Sequence, residues 1–109
     1  MALALNVFKT VTQVIPTGTV GIYTAPAGYS GVVLLAQAAN VGSETHTISF
    51  SHKRSSTTTV IVKKLPVAAS DTANLLAGKL IIENGDILQI SASNGTDLKF
   101  LGSILETLN

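Results

Sequence analysis

Residues 79–106 read KLIIENGDILQISASNGTDLKFLGSILE, and this stretch decides the fold class. Three runs rich in isoleucine and leucine are separated by the pairs Asn84-Gly85 and Asn94-Gly95. An Asn-Gly pair tolerates the positive φ angles that a type I′ hairpin turn requires at both central positions. The stretch therefore predicts a three-stranded antiparallel meander, with strands near 79–83, 86–93 and 97–107.

The rest of the chain carries the same kind of signal. Runs of valine, isoleucine and threonine are separated by turn clusters that contain proline and glycine. The stretch 67–78 is the exception, because Ser70 or Asp71 is placed to cap a short helical turn near 70–77 that Gly78 ends. Five further strands are predicted, near 5–15, 19–24, 31–40, 45–53 and 57–65.

Eight antiparallel strands in 109 residues predict one all-β domain that spans residues 1–109. A chain of this length with short strands and regular turns is typical of a β-sandwich, of either the jelly-roll or the Greek-key type. The sequence contains neither tryptophan nor cysteine, which argues against a true immunoglobulin domain.

The composition is unusually apolar and poor in charge. Hydrophobic residues make up 46% of the chain and charged residues only 12%, against roughly 25% in an average domain. Because so sparsely charged a surface is prone to associate, we expect other subunits to cover part of it. The net charge of +1 and the lack of long apolar runs favour neither nucleic acid nor a membrane as a partner. The N-terminal residues lack the basic region of a signal peptide, so we expect synthesis in the cytoplasm.

Apolar residues on both faces of some strands predict where association occurs. Strand 45–53 alternates normally, with His46, Ile48, Phe50 and His52 on the face that we expect to be buried. Strands 31–40 and 97–107 are apolar on both faces, although a sandwich buries only one face of each sheet. Two explanations stay open, a covering loop or a subunit interface. The candidate interface residues are Leu3, Leu5, Val33, Leu35, Leu101 and Leu105.

A basic hairpin offers a second candidate contact, made of His52, Lys53, Arg54, Lys63 and Lys64. Charged side chains at such a position often protect edge strands from aggregation. The functional alternative is a patch that docks on an acidic partner surface.

The sequence predicts no catalytic, metal or cofactor site. The absence of cysteine excludes disulfides, thiolate chemistry and cysteine-based zinc sites. His46 and His52 are six residues apart on one strand, about 20 Å, and cannot share a metal ion within one chain. Glu83 and Asp86 flank a turn and are interpreted as solvated acids rather than as the paired carboxylates of a glycosidase. We therefore expect a protein that is not an enzyme and needs no cofactor.

Three segments resemble a known family. The segment VGIYTAPAG (residues 20–28) is similar to the "valine-x-x-tyrosine-threonine-x-proline-x-glycine" opening of small all-β virion proteins of tailed bacteriophages. The segments LAGKLIIENGD (residues 76–86) and GSILE (residues 102–106) resemble a middle segment and the ending of the same proteins. Such proteins have no catalytic residues to carry over.

The resemblance implies a structural component of the virion. Capsid decoration or cement protein is the leading role, and a neck, tail or baseplate component is the second. The implied partners are further copies of the chain and other virion proteins, such as the major capsid protein or tail proteins. An alternative of another class is a carbohydrate-binding module for host attachment. The low aromatic content of 5% and the absence of tryptophan favour the structural role.

Overall fold

The computed structural model describes residues 6–109 and is built from β-strands alone in that range. This confirms the all-β prediction, and the observed strands lie close to the predicted ones. None of the described residues forms a helix long and apolar enough to cross a membrane. The strands are β1 (Asn6–Val14), β2 (Val20–Thr24), β3 (Tyr29–Asn40), β4 (His46–Arg54), β5 (Thr57–Val67), β6 (Thr72–Asn74), β7 (Leu80–Ile82), β8 (Ile87–Ala92) and β9 (Leu98–Leu108).

The strands form two antiparallel sheets. Sheet A has the order β1-β9-β3, and β6 and β7 both pair with β3 on its other side. Sheet B has the order β2-β8-β4-β5. Consecutive strands at the C-terminal end alternate between the sheets, since β7 and β9 belong to sheet A and β8 to sheet B. The predicted meander of these three strands is therefore wrong.

The two Asn-Gly pairs form turns of another kind. Neither asparagine has a positive φ, and only Gly85 of the two glycines does, at 85°. The Asn94 side-chain oxygen instead accepts the backbone N–H groups of Thr96 and Asp97, each at 2.9 Å. Asn-Gly chemistry specifies a tight change of direction, but it does not specify that the next strand pairs with the previous one.

A short strand of sheet A replaces the predicted helical turn near 70–77. Residues Thr72–Asn74 form β6, which pairs with the stretch from Gln37 to Ala39 on β3. The Leu75 N–H then donates to the carbonyl of Ala36 at 2.8 Å, and the Leu75 side chain is buried. The helical prediction is wrong because the edge of β3 offers hydrogen-bond partners that outweigh local capping preferences.

The core fills the space between the sheets. Ile48 and Phe50 of β4 point into it from sheet B, as their predicted alternation requires. Phe100 of β9 enters from sheet A, and its ring lies 6.0 Å from that of Phe50, measured between centroids. Burial of each such side chain contributes roughly 1.5–3 kcal/mol to stability.

A β-bulge changes the face pattern of β3. Val33 pairs with Ile104 of β9, and Leu35 pairs with the adjacent Ser103. Leu34 is therefore left without a partner on β9. The extra residue reverses the alternation, and Val33 shares the buried face with Ala36 rather than with Leu35. The prediction that side chains alternate regularly along residues 31–40 is therefore wrong beyond Val33.

Candidate assembly interface

The outer face of sheet A carries a continuous line of apolar side chains. The cross-strand register places Phe8 of β1 beside Leu105 of β9, Leu105 beside Val32 of β3, and Val32 beside Ile81 of β7. We call these four residues the apolar row. Phe8 is 76% exposed and Ile81 53% exposed. Leu105 and Val32, which lie between them, are partly buried. Because contiguous apolar side chains on a surface often mark a contact with another protein, the row is a candidate contact surface.

The same face continues into a shallow groove of about 700 Å³. Leu101 of β9 lies between Thr12 and Gln37 in the register, and Val14 at the end of β1 is also exposed. The groove mixes apolar side chains with amides, hydroxyls and one ammonium group. Its lining consists of Thr12, Gln13, Val14, Gln37, Ala39, Thr72, Lys99, Phe100 and Leu101.

Three predicted interface residues, Leu35, Leu101 and Leu105, belong to this outer face. Val33 does not, because it is 1% exposed and packs in the core, and the interface prediction is corrected there. The reason is the bulge, which turns Val33 and Leu35 to opposite faces. Leu3 and Leu5 lie outside the described residues.

Sequence reasoning missed three members of the apolar row, namely Phe8, Val32 and Ile81. Finding them requires two kinds of information, the alternation within each strand and the pairing between strands, and only the alternation can be read from the sequence. The pairing joins β1, β3, β7 and β9, which are far apart in the sequence, and so could not be read from any one of them.

The predicted basic patch is divided by the structure. His52 and Arg54 are bound to Asp86, and Lys53 projects from the other face of β4, where its register partners are Thr58 and Ile87. Lys63 and Lys64 are exposed on β5. The five residues are therefore not brought together as one surface.

Asp86 is the centre of a saturated polar cluster at one end of the sandwich. It is 2% exposed, and Arg54 donates to its two oxygens, from Nε to Oδ1 at 2.9 Å and from Nη2 to Oδ2 at 2.6 Å. His52 Nε2 lies 3.0 Å from Oδ2, and the Glu83 N–H donates to the same oxygen at 3.0 Å. The hydrogen bonds from Arg54 hold the pKa of Asp86 well below its usual range, in spite of burial.

The arrangement around Asp86 gives it a structural role. Arg54 also donates from Nη2 to Glu83 at 2.8 Å, so one guanidinium bridges the two acids. The hydrogen bond to Asp86 in turn raises the pKa of Arg54. Asp86 is poorly suited to act as a general acid, because it is held ionised and both of its oxygens already accept hydrogen bonds.

A second buried carboxylate, that of Glu106, lies in sheet A. The Tyr23 hydroxyl donates to Glu106 Oε2 at 2.7 Å, and Lys9 Nζ lies 3.2 Å from Oε1. Burial, followed by the hydrogen bond to Glu106, raises the pKa of Tyr23. The site needs a glycine at position 31, since a Cβ atom there would lie 2.8 Å from the Tyr23 hydroxyl oxygen.

The described residues contain no group of three or more histidine, aspartate or glutamate side chains that could hold a metal ion. The two histidines lie beside different acids, since His46 Nε2 is 3.5 Å from Asp97 and His52 Nε2 is 3.0 Å from Asp86. Each histidine thus joins β4 to one of the turns that flank β8.

Comparison with known proteins identifies the fold. No protein-family model matches the chain, and no curated protein matches it in sequence. A chain from the acidic stable capsid structure of Helicobacter pylori bacteriophage KHP30 superposes with a TM-score of 0.57 at 13% identity, over 96% of this chain and 89% of that one.

Two further solved structures are similar. A subunit of the disulfide-linked pili that form Bacillus endospore appendages superposes with a TM-score of 0.50 at 18% identity, over 100% of this chain and 97% of that one. A pentameric capsid protein from metagenomic phage sequences gives a TM-score of 0.46 at 18% identity, over 98% of this chain and 63% of that one. At these identities, the first two likenesses establish a shared fold.

Proposed function

We propose that the chain is a non-enzymatic structural protein of a bacteriophage virion, which it joins through the outer face of sheet A. The observation that carries this proposal is the apolar row, whose ends Phe8 and Ile81 are exposed although the sandwich already has a complete core. Exposure of such a row to water is unfavourable, and contact with another protein removes that cost.

The strand order supports assignment to the jelly-roll class. If β6 and β7 are counted as one strand interrupted opposite β3, the sheets have the orders 1-8-3-6 and 2-7-4-5. We propose that this is an eight-stranded jelly roll, an architecture found in viral capsid proteins as well as in lectins and cupins. The likeness to a chain of the KHP30 capsid structure is consistent with the first of these uses.

Capsid decoration or cement is the role that we favour, with neck, tail or baseplate parts as the second. A decoration protein needs only a stable fold and a surface that binds its own copies or a lattice protein. The outer face of sheet A supplies that surface through the apolar row, which includes Leu105, together with Leu35 and Leu101. The proposed partners are therefore further copies and other virion proteins, and the proposed location is the virion.

Covalent linkage between subunits through cysteine is chemically excluded for this chain. The similar pilus subunits form disulfide-linked pili, whereas the present sequence contains no cysteine. Subunits of this chain cannot be joined by disulfides, which increases the importance of an apolar face.

Lys53, Lys63 and Lys64 remain a proposed secondary contact with an acidic partner. Exposed charges of this kind act mainly on the rate of encounter and are screened over about 8–10 Å at physiological salt. This contact would be weakened by salt, unlike the apolar row.

Mass spectrometry of purified particles tests the assignment to a virion. We expect the chain in particles isolated from the culture that carries its gene. Hundreds of copies per particle would support decoration, and a small multiple of three or six would support a neck or tail component. Absence of the chain from the particles would contradict the proposal.

A charge placed on each outer face tests the contact surface. Leu101→Lys should reduce binding to particles stripped of the chain by more than tenfold, because a lysine in a desolvated contact costs several kcal/mol. Ser51→Lys, on the outer face of sheet B, is the matched control and should bind normally. Equal binding by both variants in a co-sedimentation assay would place the contact elsewhere.

A further inference from the structure

The four sheet edges in the described part of the chain differ in how well they are protected. Proteins usually protect edges with short strands, bulges, proline or charged side chains. Sheet B ends on one side at β2, which has five residues and a register shift after Gly21. It ends on the other side at β5, which carries Lys63, Lys64 and Pro66 and has two register shifts against β4. These two edges are poor templates for another strand.

The edges of sheet A contrast with each other. On one side, β6 and β7 have three residues each and are separated by residues 75–79. On the other side, β1 has nine residues that pair with β9 in an unbroken register from Asn6 opposite Thr107 to Val14 opposite Lys99. Its sequence has no proline or glycine, and its one charged residue, Lys9, is paired with Glu106. Thus, of the described edges, β1 is the one with a long strand and neither a bulge nor a proline.

We propose that β1 pairs in antiparallel orientation with β1 of a second copy, across a two-fold axis that passes through Thr10. Only this register overlaps all nine residues of both strands. It places Thr10 opposite Thr10 and Phe8 opposite Thr12, which are favourable β-branched and aromatic pairs. Lys9 then faces Val11, whereas a register centred on Lys9 would place two ammonium groups opposite each other.

The strand is self-complementary in this register, and this is why the proposed occupant is a second copy rather than a strand of another protein. A two-fold contact uses the same residues on both subunits, as closed dimers generally do. The pairing also keeps outer-face residues on the outer face, so the outer faces of the two copies join, with Phe8 of one copy beside Thr12 of the other. The dimer goes beyond the proposed function, since it requires no particle.

Cross-linking at the axis tests the pairing directly, because the chain has no cysteine of its own. Thr10→Cys places two thiols opposite each other, and a short bis-maleimide should convert most of the protein into a covalent dimer. Val14→Cys is the matched control on the same exposed face of β1. In the proposed register its two thiols lie eight residues apart along the strands, about 27 Å at 3.4 Å per residue, and should not be linked.

Thr10→Lys gives a second readout by placing like charges at the axis. It should raise the dimer dissociation constant at least tenfold in sedimentation experiments, with an unchanged circular dichroism spectrum. Leu101→Lys should leave the Thr10→Cys cross-link intact, so that loss of the outer-face contact and loss of the edge contact are distinguishable. Equal cross-linking of Thr10→Cys and Val14→Cys, or none at Thr10→Cys at concentrations up to those used for sedimentation, would overturn the proposal.

Discussion

The outer faces of the two sheets differ sharply, although both belong to one sandwich with one core. The outer face of sheet B is largely polar, with Ser49, Ser51, Gln89 and Ser91 along its central strands β4 and β8. The outer face of sheet A instead carries the apolar row. Sheet B shows that a sheet of this sandwich can present a largely polar outer face. The apolar outer face of sheet A agrees with the proposed contact with another molecule.

The sheets also differ in the buried carboxylate that each holds. Asp86, at the start of β8, receives hydrogen bonds from Arg54 and from the Glu83 N–H and lies beside His52. Among the described residues, Glu106 of β9 accepts a hydrogen bond from the Tyr23 hydroxyl and lies beside the half-exposed Lys9. We therefore expect the buried carboxylate of sheet B, Asp86, to contribute more to the stability of the fold than the buried carboxylate of sheet A, Glu106.

The largest expected effect comes from removal of the Asp86 carboxylate. Asp86→Ala should lower the free energy of unfolding by about 3 kcal/mol, because it leaves His52 and the Glu83 N–H without their acceptor. Glu106→Gln should cost about 1 kcal/mol, since the amide oxygen still accepts from Tyr23 and only the pair with Lys9 is lost. Urea denaturation measures both values, and equal losses would remove this difference between the sheets.

A smaller effect is expected in acid. The pKa of Asp86 is depressed in the folded protein, so its contribution to stability is complete above the unfolded value of about 4 and declines as the pH falls further. Asp86→Asn cannot lose a charge there. Its melting temperature should fall less than that of the wild type between pH 5 and pH 2.5, when both are followed by circular dichroism at constant ionic strength. If the melting temperatures of the two proteins fell in parallel with pH, other acids would be responsible for the loss of stability in acid.

The smallest effect is expected at Val60, a large apolar side chain on the outer face of sheet B. Val60 is 55% exposed and lies opposite Ser51 in the register. Val60→Thr should change the free energy of unfolding by less than about 0.5 kcal/mol and leave assembly unaltered. If the substitution weakened binding to particles, the outer face of sheet B would also be a contact surface, and the contrast drawn above would fail.

Much of the fold was predictable from the sequence because strand positions depend on local signals. The alternation that buries Ile48 and Phe50 and the turns around proline and glycine are properties of neighbouring residues. The sheet membership of β7, β8 and β9 was not predictable, since it depends on pairing with strands that are far away in the sequence. β6 was missed for the same reason.

The candidate surface was predictable only in part. Leu101 and Leu105 alternate regularly along β9 and were identified, whereas Val33 was assigned to the wrong face because the bulge gives no clear local signal. The link between Arg54 and Asp86 spans 32 residues and could not be predicted from local sequence, nor could the contact of His52 with the same acid.

At the level of the gene, the unpaired Leu34 makes β3 tolerant of the loss of one particular codon. Deletion of Leu34 would remove the bulge and restore regular alternation, with Val33 and Ala36 still on the buried face. Deletion of a residue that is paired with β9, such as Gln37, would instead shift the register of the residues beyond it. We therefore expect natural variants of this protein with a β3 one residue shorter to lack the residue at the bulge.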